Sequence, residues 1–390
     1  MSEDRTPRRA RWPESSSRPL VSPLQPSVVY TSADPDALDA QYDGSAPGYT
    51  YAREGHPNAD VLAGMIDRME GAEGGLVTGS GMAAVVAAFL ANLRAGDHIV
   101  AADRLYGRSQ RIIAEDLPRF GIGVTQADTT DAGAVAAAMR PETRMIHAET
   151  LSNPDLRVAD LEGIAALAAA RGVLLSVDNT FATPQGVRAF EAGADIVIHS
   201  VTKLLAGHSD VTLGYVAARD PAIVERMRVL AVTMGLTPSP FDCWLAERGL
   251  LSFGMRWERA QATAAALADM LAARDEVVRV LYPGRADHPD AARAARLMGG
   301  QGGNMVAFEI AGGRDSANRL VRGAAGIAFA PTLGDVATTM SHPASSSHRA
   351  LTPGARAALG LSEGFFRVSV GCEPAGEVLA RFGTALDGLG

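Results

Sequence analysis

"GVLLSVDNTFATPQGVRAFEAGADIVIHSVTK", residues 172–203, decides how this chain is read. Two short runs rich in Val, Ile and Leu, "GVLLSVDNT" and "ADIVIHSVT", bracket the stretch. Runs of that length and composition predict strands buried on both faces. The first closes on Asp178 and the second leads into Lys203. The separation of these two residues suits one crossover between parallel strands.

The same rhythm extends in both directions. "DHIVAAD", "GIGVTQAD" and "TRMIHAET" are further strand-like runs. "VLAGMIDRMEGAEG", "GMAAVVAAFLANLRAG" and "LEGIAALAAARG" carry helical spacing, the second predicted to run to Gly96. Alternation of this kind predicts an α/β fold with a mostly parallel sheet flanked by helices. Ligands of such sheets bind beyond the carboxyl ends of the strands. Asp178, Glu149 at the end of "MIHAE", and Lys203 would therefore face one rim. After "PSPFDCWLAERGL", alanine-rich helices lead to "NMVAFEI", "GIAFA" and "FFRVSVG", read as strands of a smaller C-terminal α/β domain. The expected organisation is a tail and arm over 1–52, a large domain over 53–247 and a small domain over 248–390. Two domains also suit 390 residues.

Lys203 is the only lysine; every other member of the 36 Lys+Arg residues is arginine. A surface charge needs only a cation, and arginine supplies that elsewhere. Lysine alone can lose its proton and act as an amine nucleophile. The remaining composition narrows the field. A net charge of −8 argues against a nucleic-acid surface. No run of about 18 uncharged apolar residues predicts a membrane span. Cys243 and Cys372 stand far apart, giving neither a disulfide framework nor a metal site, which suits a reducing cytoplasm. The polar, arginine- and proline-rich start, "MSEDRTPRRARWPESSSRPL", lacks the apolar core of a secretory signal and reads as a flexible tail.

"GSGMAA", residues 79–84, matches the dinucleotide pattern G-x-G-x-x-A, and Asp103 ends a later strand. A nicotinamide-dependent dehydrogenase is thus one reading. The run before the glycines, "GGLVT", is short and follows a helix-like segment, so a general phosphate cup at a helix start is the broader one. A phosphate cup, an acid at a strand end and a solitary lysine on one rim together suit pyridoxal phosphate (PLP). That cofactor needs a lysine amine for its covalent link and a carboxylate opposite its pyridine nitrogen. Tyr106 could stack on the ring.

With these residues in view, the chain resembles the trans-sulfuration family of PLP enzymes. The resemblance rests on "YTYAREGHPN", "TGSGMAAV", "ETLSNPDL", "SVDNTFATP", "SVTKLLAGHSDVTLGYV", "SPFDCWLAERGL" and "FRVSVGCEP", in the family's order. It implies the aminotransferase-like fold type I and roles for matching positions. Lys203 would link to the cofactor and move protons, Asp178 would pair the pyridine nitrogen, and Tyr106 would stack on the ring as an acid–base group. Gly81 and Met82 main-chain N–H groups, with the hydroxyls of Ser200 and Thr202, would hold the phosphate. Tyr51 and Arg53 would reach the phosphate of a neighbouring subunit, implying a homodimer or homotetramer with shared sites. Asn153 would contact the ring oxygen or the substrate carboxylate, and Arg367 would clamp that carboxylate.

The family implies γ-elimination or γ-replacement on sulfur amino acids or O-acylhomoserines, with methionine γ-lyase, sulfhydrylase and β-lyase as alternatives. Departures bear on that choice. Arg108 stands where relatives carry glycine, or cysteine in methionine γ-lyases. An Arg108 directed into the distal pocket would pair with an acidic substrate group; directed to solvent it would not. "PTLGDVATTMSHP" has Thr332 for the usual serine and Ala337 for a frequent glutamate linked to cystathionine binding. Thr50 and Glu54 are also uncommon choices, and His208 reads as a structural partner. A dehydrogenase and a non-catalytic PLP-binding relative remain as other classes. The colour of the purified protein separates the first, and the retained Lys203, Asp178, Tyr106 and Arg367 weigh against the second.

Overall fold

The strands at the heart of the quoted stretch are Leu174–Asp178 and Ile196–His199, adjacent and parallel in a computed structural model that describes residues 15–349 and 351–389. The first part of the expected N-terminal tail, 1–14, lies outside the described residues. Seven strands form the larger sheet: β1 Leu76–Thr78, β2 His98–Ala102, β3 Gly123–Ala127, β4 Thr143–Glu149, β5 Leu174–Asp178, β6 Ile196–His199 and β7 Gly214–Ala218. Their order is β1-β7-β6-β5-β4-β2-β3, parallel from β6 through β3, with β7 antiparallel to both β6 and β1. Only β7 runs against the others, so the sheet is mostly parallel, as the alternation of elements predicts.

Helices cover both faces because the strands bury side chains on both. Leu175, Val177 and Val197 pack into one core with Leu62 and Ile66 of helix Pro57–Glu70. Ile196 and Ile198 pack into the other with Val85 and Phe89 of helix Gly81–Leu90. That second helix stops six residues short of the expected end. Asn92 donates its side-chain amide to Ala88 O at 2.9 Å, and Leu93 N–H closes on Phe89 O. A side-chain donor that takes up a backbone carbonyl competes with the helical N–H and ends a helix locally. Gly96, at φ 92°, turns the chain into β2 instead.

The dinucleotide reading is corrected here. β1, the strand before the glycines, has three residues and sits at the sheet edge, paired only antiparallel to β7. A dinucleotide fingerprint needs a substantial strand within a parallel βαβ unit. β1 still points the same way as β6, so the helix it feeds begins on the rim where β4, β5 and β6 end.

The smaller sheet has five strands, β8 Val277–Leu281, β9 Met305–Ile310, β10 Ala328–Phe329, β11 Thr339–Ser341 and β12 Phe365–Ser369, in the order β10-β11-β12-β9-β8. "GIAFA" contributes only the two exposed residues of β10. The twenty-residue helix Phe253–Ala272 leads to this sheet, burying Trp257 against the larger unit and Leu267 and Leu271 against Phe308 and Phe382. β12 matters most for the site because it carries Arg367.

Candidate active site

The phosphate cup forms where β1 turns into helix Gly81–Leu90. Ser80 caps that helix, its Oγ accepting Ala83 N–H at 3.1 Å. The N–H groups of Gly81 and Met82, in the first turn, have no acceptor within the helix. They point out of the positive end of the helix dipole. Ser200, just past β6, lies against this turn: a Cβ on Gly81 would stand 2.8 Å from Ser200 Cβ. Only glycine permits that approach. Ser200 is itself oriented by its N–H to Thr180 Oγ1, 2.8 Å. Thr202 is committed differently, since its hydroxyl donates to Leu213 O at 3.1 Å and accepts Leu213 N–H at 2.9 Å. Donation to a phosphate would require that hydroxyl to rotate away.

Asp178 ends β5 on the same rim. Its Oδ1 accepts Thr180 N–H at 2.9 Å. Burial pushes its pKa upward, and the Thr180 hydrogen bonds and nearby His199 pull it down. A buried carboxylate in this position favours a cationic partner, which a protonated pyridine nitrogen would be.

Lys203 stands in the turn after β6. Its Nζ donates to Thr332 Oγ1 at 3.4 Å, across to the segment preceding β11. Burial, and then the charge of Arg367, lowers its pKa. Both effects favour the neutral amine that nucleophilic and proton-relay chemistry requires. Gly334 brings the opposing segment in: at φ 83°, a Cβ there would lie 2.3 Å from Leu204 N.

Arg367 is buried on β12. One Nη1 donates to Asn153 Oδ1 at 2.7 Å, and the guanidinium lies 5.4 Å over the Phe181 ring. Its Nε is buried without a partner. Desolvation pushes its pKa down to about 10, while Glu149 and Tyr106 pull it up. A buried guanidinium with an open donor is costly unless an anion arrives. Tyr106 stands at the start of helix Gly107–Arg111 as an exposed residue (41%), and its N–H donates to Glu149 Oε1 at 2.6 Å.

The structure thus brings together Gly81, Met82 and Ser200 on one side of the rim, and Lys203, Thr332, Asn153, Arg367 and Tyr106 on the other. It does not bring Tyr51 and Arg53 to Lys203 within one chain. Both are exposed, Arg53 lying 5.3 Å over the Tyr51 ring and 3.5 Å from Glu54. Arg108 is exposed two residues beyond Tyr106. His208 bonds Ala206 O at 2.7 Å, within its own turn.

Four neighbours of the site make contacts that the sequence does not show. Glu149 is buried beside Asp178, its partner in the β4–β5 register. Arg104 and Asp155 form an ion pair that ties the Tyr106 loop to the Asn153 loop, with Ser152 donating to the same carboxylate. His348, buried, is pushed down to about 4 by desolvation and Arg367. Their only sequence signal is nearness to Tyr106, Asn153 or a strand end.

The residues fit PLP: a glycine cradle for phosphate, a buried acid, a desolvated lysine, an accessible tyrosine ring and an unsatisfied arginine. Comparisons with known proteins agree. The family model described as Cys/Met metabolism PLP-dependent enzyme matches residues 10–387. L-methionine gamma-lyase of Pseudomonas putida is 36% identical over 96% of this chain and 94% of its own length. Cystathionine beta-lyase of Bacillus subtilis is 39% identical, covering 87% and 86%. Cystathionine gamma synthase of Xanthomonas oryzae, solved with cystathionine, is 35% identical with a TM-score of 0.90, covering 95% and 93%. The chain belongs to the family of PLP-dependent enzymes of Cys/Met metabolism.

Proposed function

We propose that this enzyme catalyses γ-elimination or γ-replacement on a sulfur amino acid or an O-acylhomoserine. The observation that carries the reading is Lys203, a single desolvated amine bonded to Thr332 and under the charge of Arg367, on the rim that also bears Asp178 and the glycine cup. Bound PLP supplies an electron sink for the substrate's α-carbon. The chain's own groups then divide the work. Lys203 accepts the α-proton, a second proton then leaves the β-carbon so that the γ-substituent can depart, and Lys203 returns a proton to the product. The Asp178 carboxylate would pair with the pyridine nitrogen and favour its protonated form. Arg367 and Asn153 hold the α-carboxylate, and Thr332 directs the lysine Nζ. Tyr106 donates a proton to the departing sulfur or oxygen. The N–H groups of Gly81 and Met82 and the Ser200 hydroxyl would hold the phosphate, joined by Thr202 once its hydroxyl turns away from Leu213 O.

Relatives with different reactions lie at nearly the same identity, so identity does not choose among them. Arg108 stands where methionine γ-lyases carry cysteine, and Ala337 replaces the glutamate linked to cystathionine. These two positions favour an O-acylhomoserine or a broad thioether substrate. The exposed Tyr51 and Arg53 suit the phosphate of a second subunit, which makes the active unit a homodimer or homotetramer in the cytoplasm. The large unit would span 53–247 and the small one 248–390, with the arm before them.

A panel of cystathionine, O-acylhomoserines, methionine, homocysteine and cysteine tests the reading, with keto acid and thioether products both measured. γ-Elimination gives 2-oxobutanoate from cystathionine; γ-replacement gives a thioether from an O-acylhomoserine and a thiol. Pyruvate as the sole keto acid from cystathionine, with no γ-product from any substrate, would replace the reading with a β-lyase.

A further inference from the structure

Glu149 and Arg367 are an acid and a base in the same buried site, yet neither is in a direct ion pair among the described residues. Glu149 closes β4 with its carboxyl beside Asp178 and Oε1 accepting the Tyr106 N–H. Arg367 reaches the site from β12, held by the neutral Asn153 amide and the Phe181 ring, with Nε open. Asn153, which Arg367 bonds, lies four residues past Glu149 on the loop leaving β4, so the two groups lie close without a direct bond, and each shifts the other's pKa.

We propose that Glu149 is the resident counter-charge of Arg367, and that it takes up a proton when a carboxylate ligand replaces it in that role. The proposal rests on reading Arg367 as the clamp for the substrate α-carboxylate. In the free site, burial and the charge of Asp178 push the Glu149 pKa well up, while the Tyr106 N–H and Arg367 hold it down. A carboxylate bound to Arg367 cancels part of that restraint and adds a further negative charge, so the pKa rises again. The proton comes from solvent and settles on the oxygen not engaged by Tyr106. No other bond is made or broken.

The groups facing Glu149 are Asp178 from β5, Arg367 from β12, Asp155 from the loop after β4 and the Tyr106 loop after β2. Lys203 and His348 also feel Arg367. His348 is the main competitor for a linked proton, because its pKa too would rise when Arg367 is neutralised. The sign follows from linkage. Uptake makes binding tighter at lower pH. Between the free and liganded pKa values of Glu149, Kd rises with pH by up to about tenfold per unit, and it is flat outside that window.

The test is calorimetry of propionate binding to the holoenzyme, across neutral pH, in buffers of different ionisation enthalpy. Wild type should take up close to one proton per propionate within a limited pH window, and propionamide none. Glu149→Gln should bind propionate with no uptake and a flat Kd. Should that variant fail to fold, Glu149→Asp is measured instead, and its window should move. Equal uptake in wild type and Glu149→Gln, an unmoved window in Glu149→Asp, or no uptake by wild type at any pH overturns the proposal. Arg367→Leu keeps the two ideas apart. Lost propionate binding there with no wild-type uptake rejects Glu149 alone, whereas unchanged binding rejects the clamp itself.

Discussion

Two buried polar clusters sit at the carboxyl ends of the same strands, and they are built differently. Toward helix Pro57–Glu70, Glu70 Oε1 meets His199 Nε2 at 2.5 Å and accepts the Asn179 amide at 2.9 Å. Thr150 Oγ1 donates to Asn179 Oδ1 at 2.8 Å, and Asn179 Nδ2 also reaches Val187 O at 2.7 Å. The strand ends and the helix are thereby cross-linked, although Glu70 Oε2 and His199 Nδ1 keep no protein partner. In the other cluster Asp178, Glu149, Lys203 and Arg367 hold their charges apart, joined to backbone groups, a neutral amide and a hydroxyl. Direct pairing stabilises the first arrangement. Separation leaves the second open to a ligand that supplies the missing partners, at a cost in stability.

That difference can be broken in graded steps. The largest effect falls on Lys203→Arg, which keeps the charge and removes the titratable amine. Its kcat should fall by roughly a thousandfold or more, and steady-state rates on the substrate panel will show it. Glu70→Ala should come next, destabilising the holoenzyme by about 3 kcal/mol, because it leaves buried partners unpaired. Denaturant unfolding measures this, and propionate affinity should stay nearly unchanged. A loss of affinity matching that of Arg367→Leu would erase the distinction between the clusters.

Arg367→Leu should behave in the opposite way. Losing charge-assisted hydrogen bonds to the carboxylate should lower kcat/KM by roughly ten- to a hundredfold, near 2 kcal/mol. Its effect on unfolding should stay well below that of Glu70→Ala, since Arg367 is held by a neutral amide and not by a direct ion pair. The smallest effect belongs to Arg108→Ala. An exposed charge contributes at most about 1 kcal/mol, so KM should rise no more than about fivefold for substrates with a distal carboxylate. Methionine should be unaffected; equal changes for both would place the guanidinium in solvent.

What could be read in the sequence follows from strand periodicity. Asp178 and Lys203 were legible because short apolar runs end on them, and parallel strands align such ends on one rim. Gly81 was legible as the start of a helix, but the reason it must be glycine was not: Ser200 approaches from a different strand. The edge strand β1 and its inner neighbour β7 were not read as strands because runs of three and five residues carry little pattern. The helix from Gly81 read too long since alanine and leucine continue past Leu90, while Asn92 and the turn to Gly96 decide its end. Glu149 showed its position but not its bond to Tyr106, and Arg104 with Asp155 showed neither. Those contacts depend on how loops cross, which no local spacing encodes.

The central claim is a covalent link between PLP and Lys203. Borohydride reduction of the holoenzyme followed by peptide mass mapping tests it directly. The account predicts a pyridoxyl label on the peptide containing Lys203 and on no other. Retained cofactor with an unmodified Lys203 peptide would contradict it.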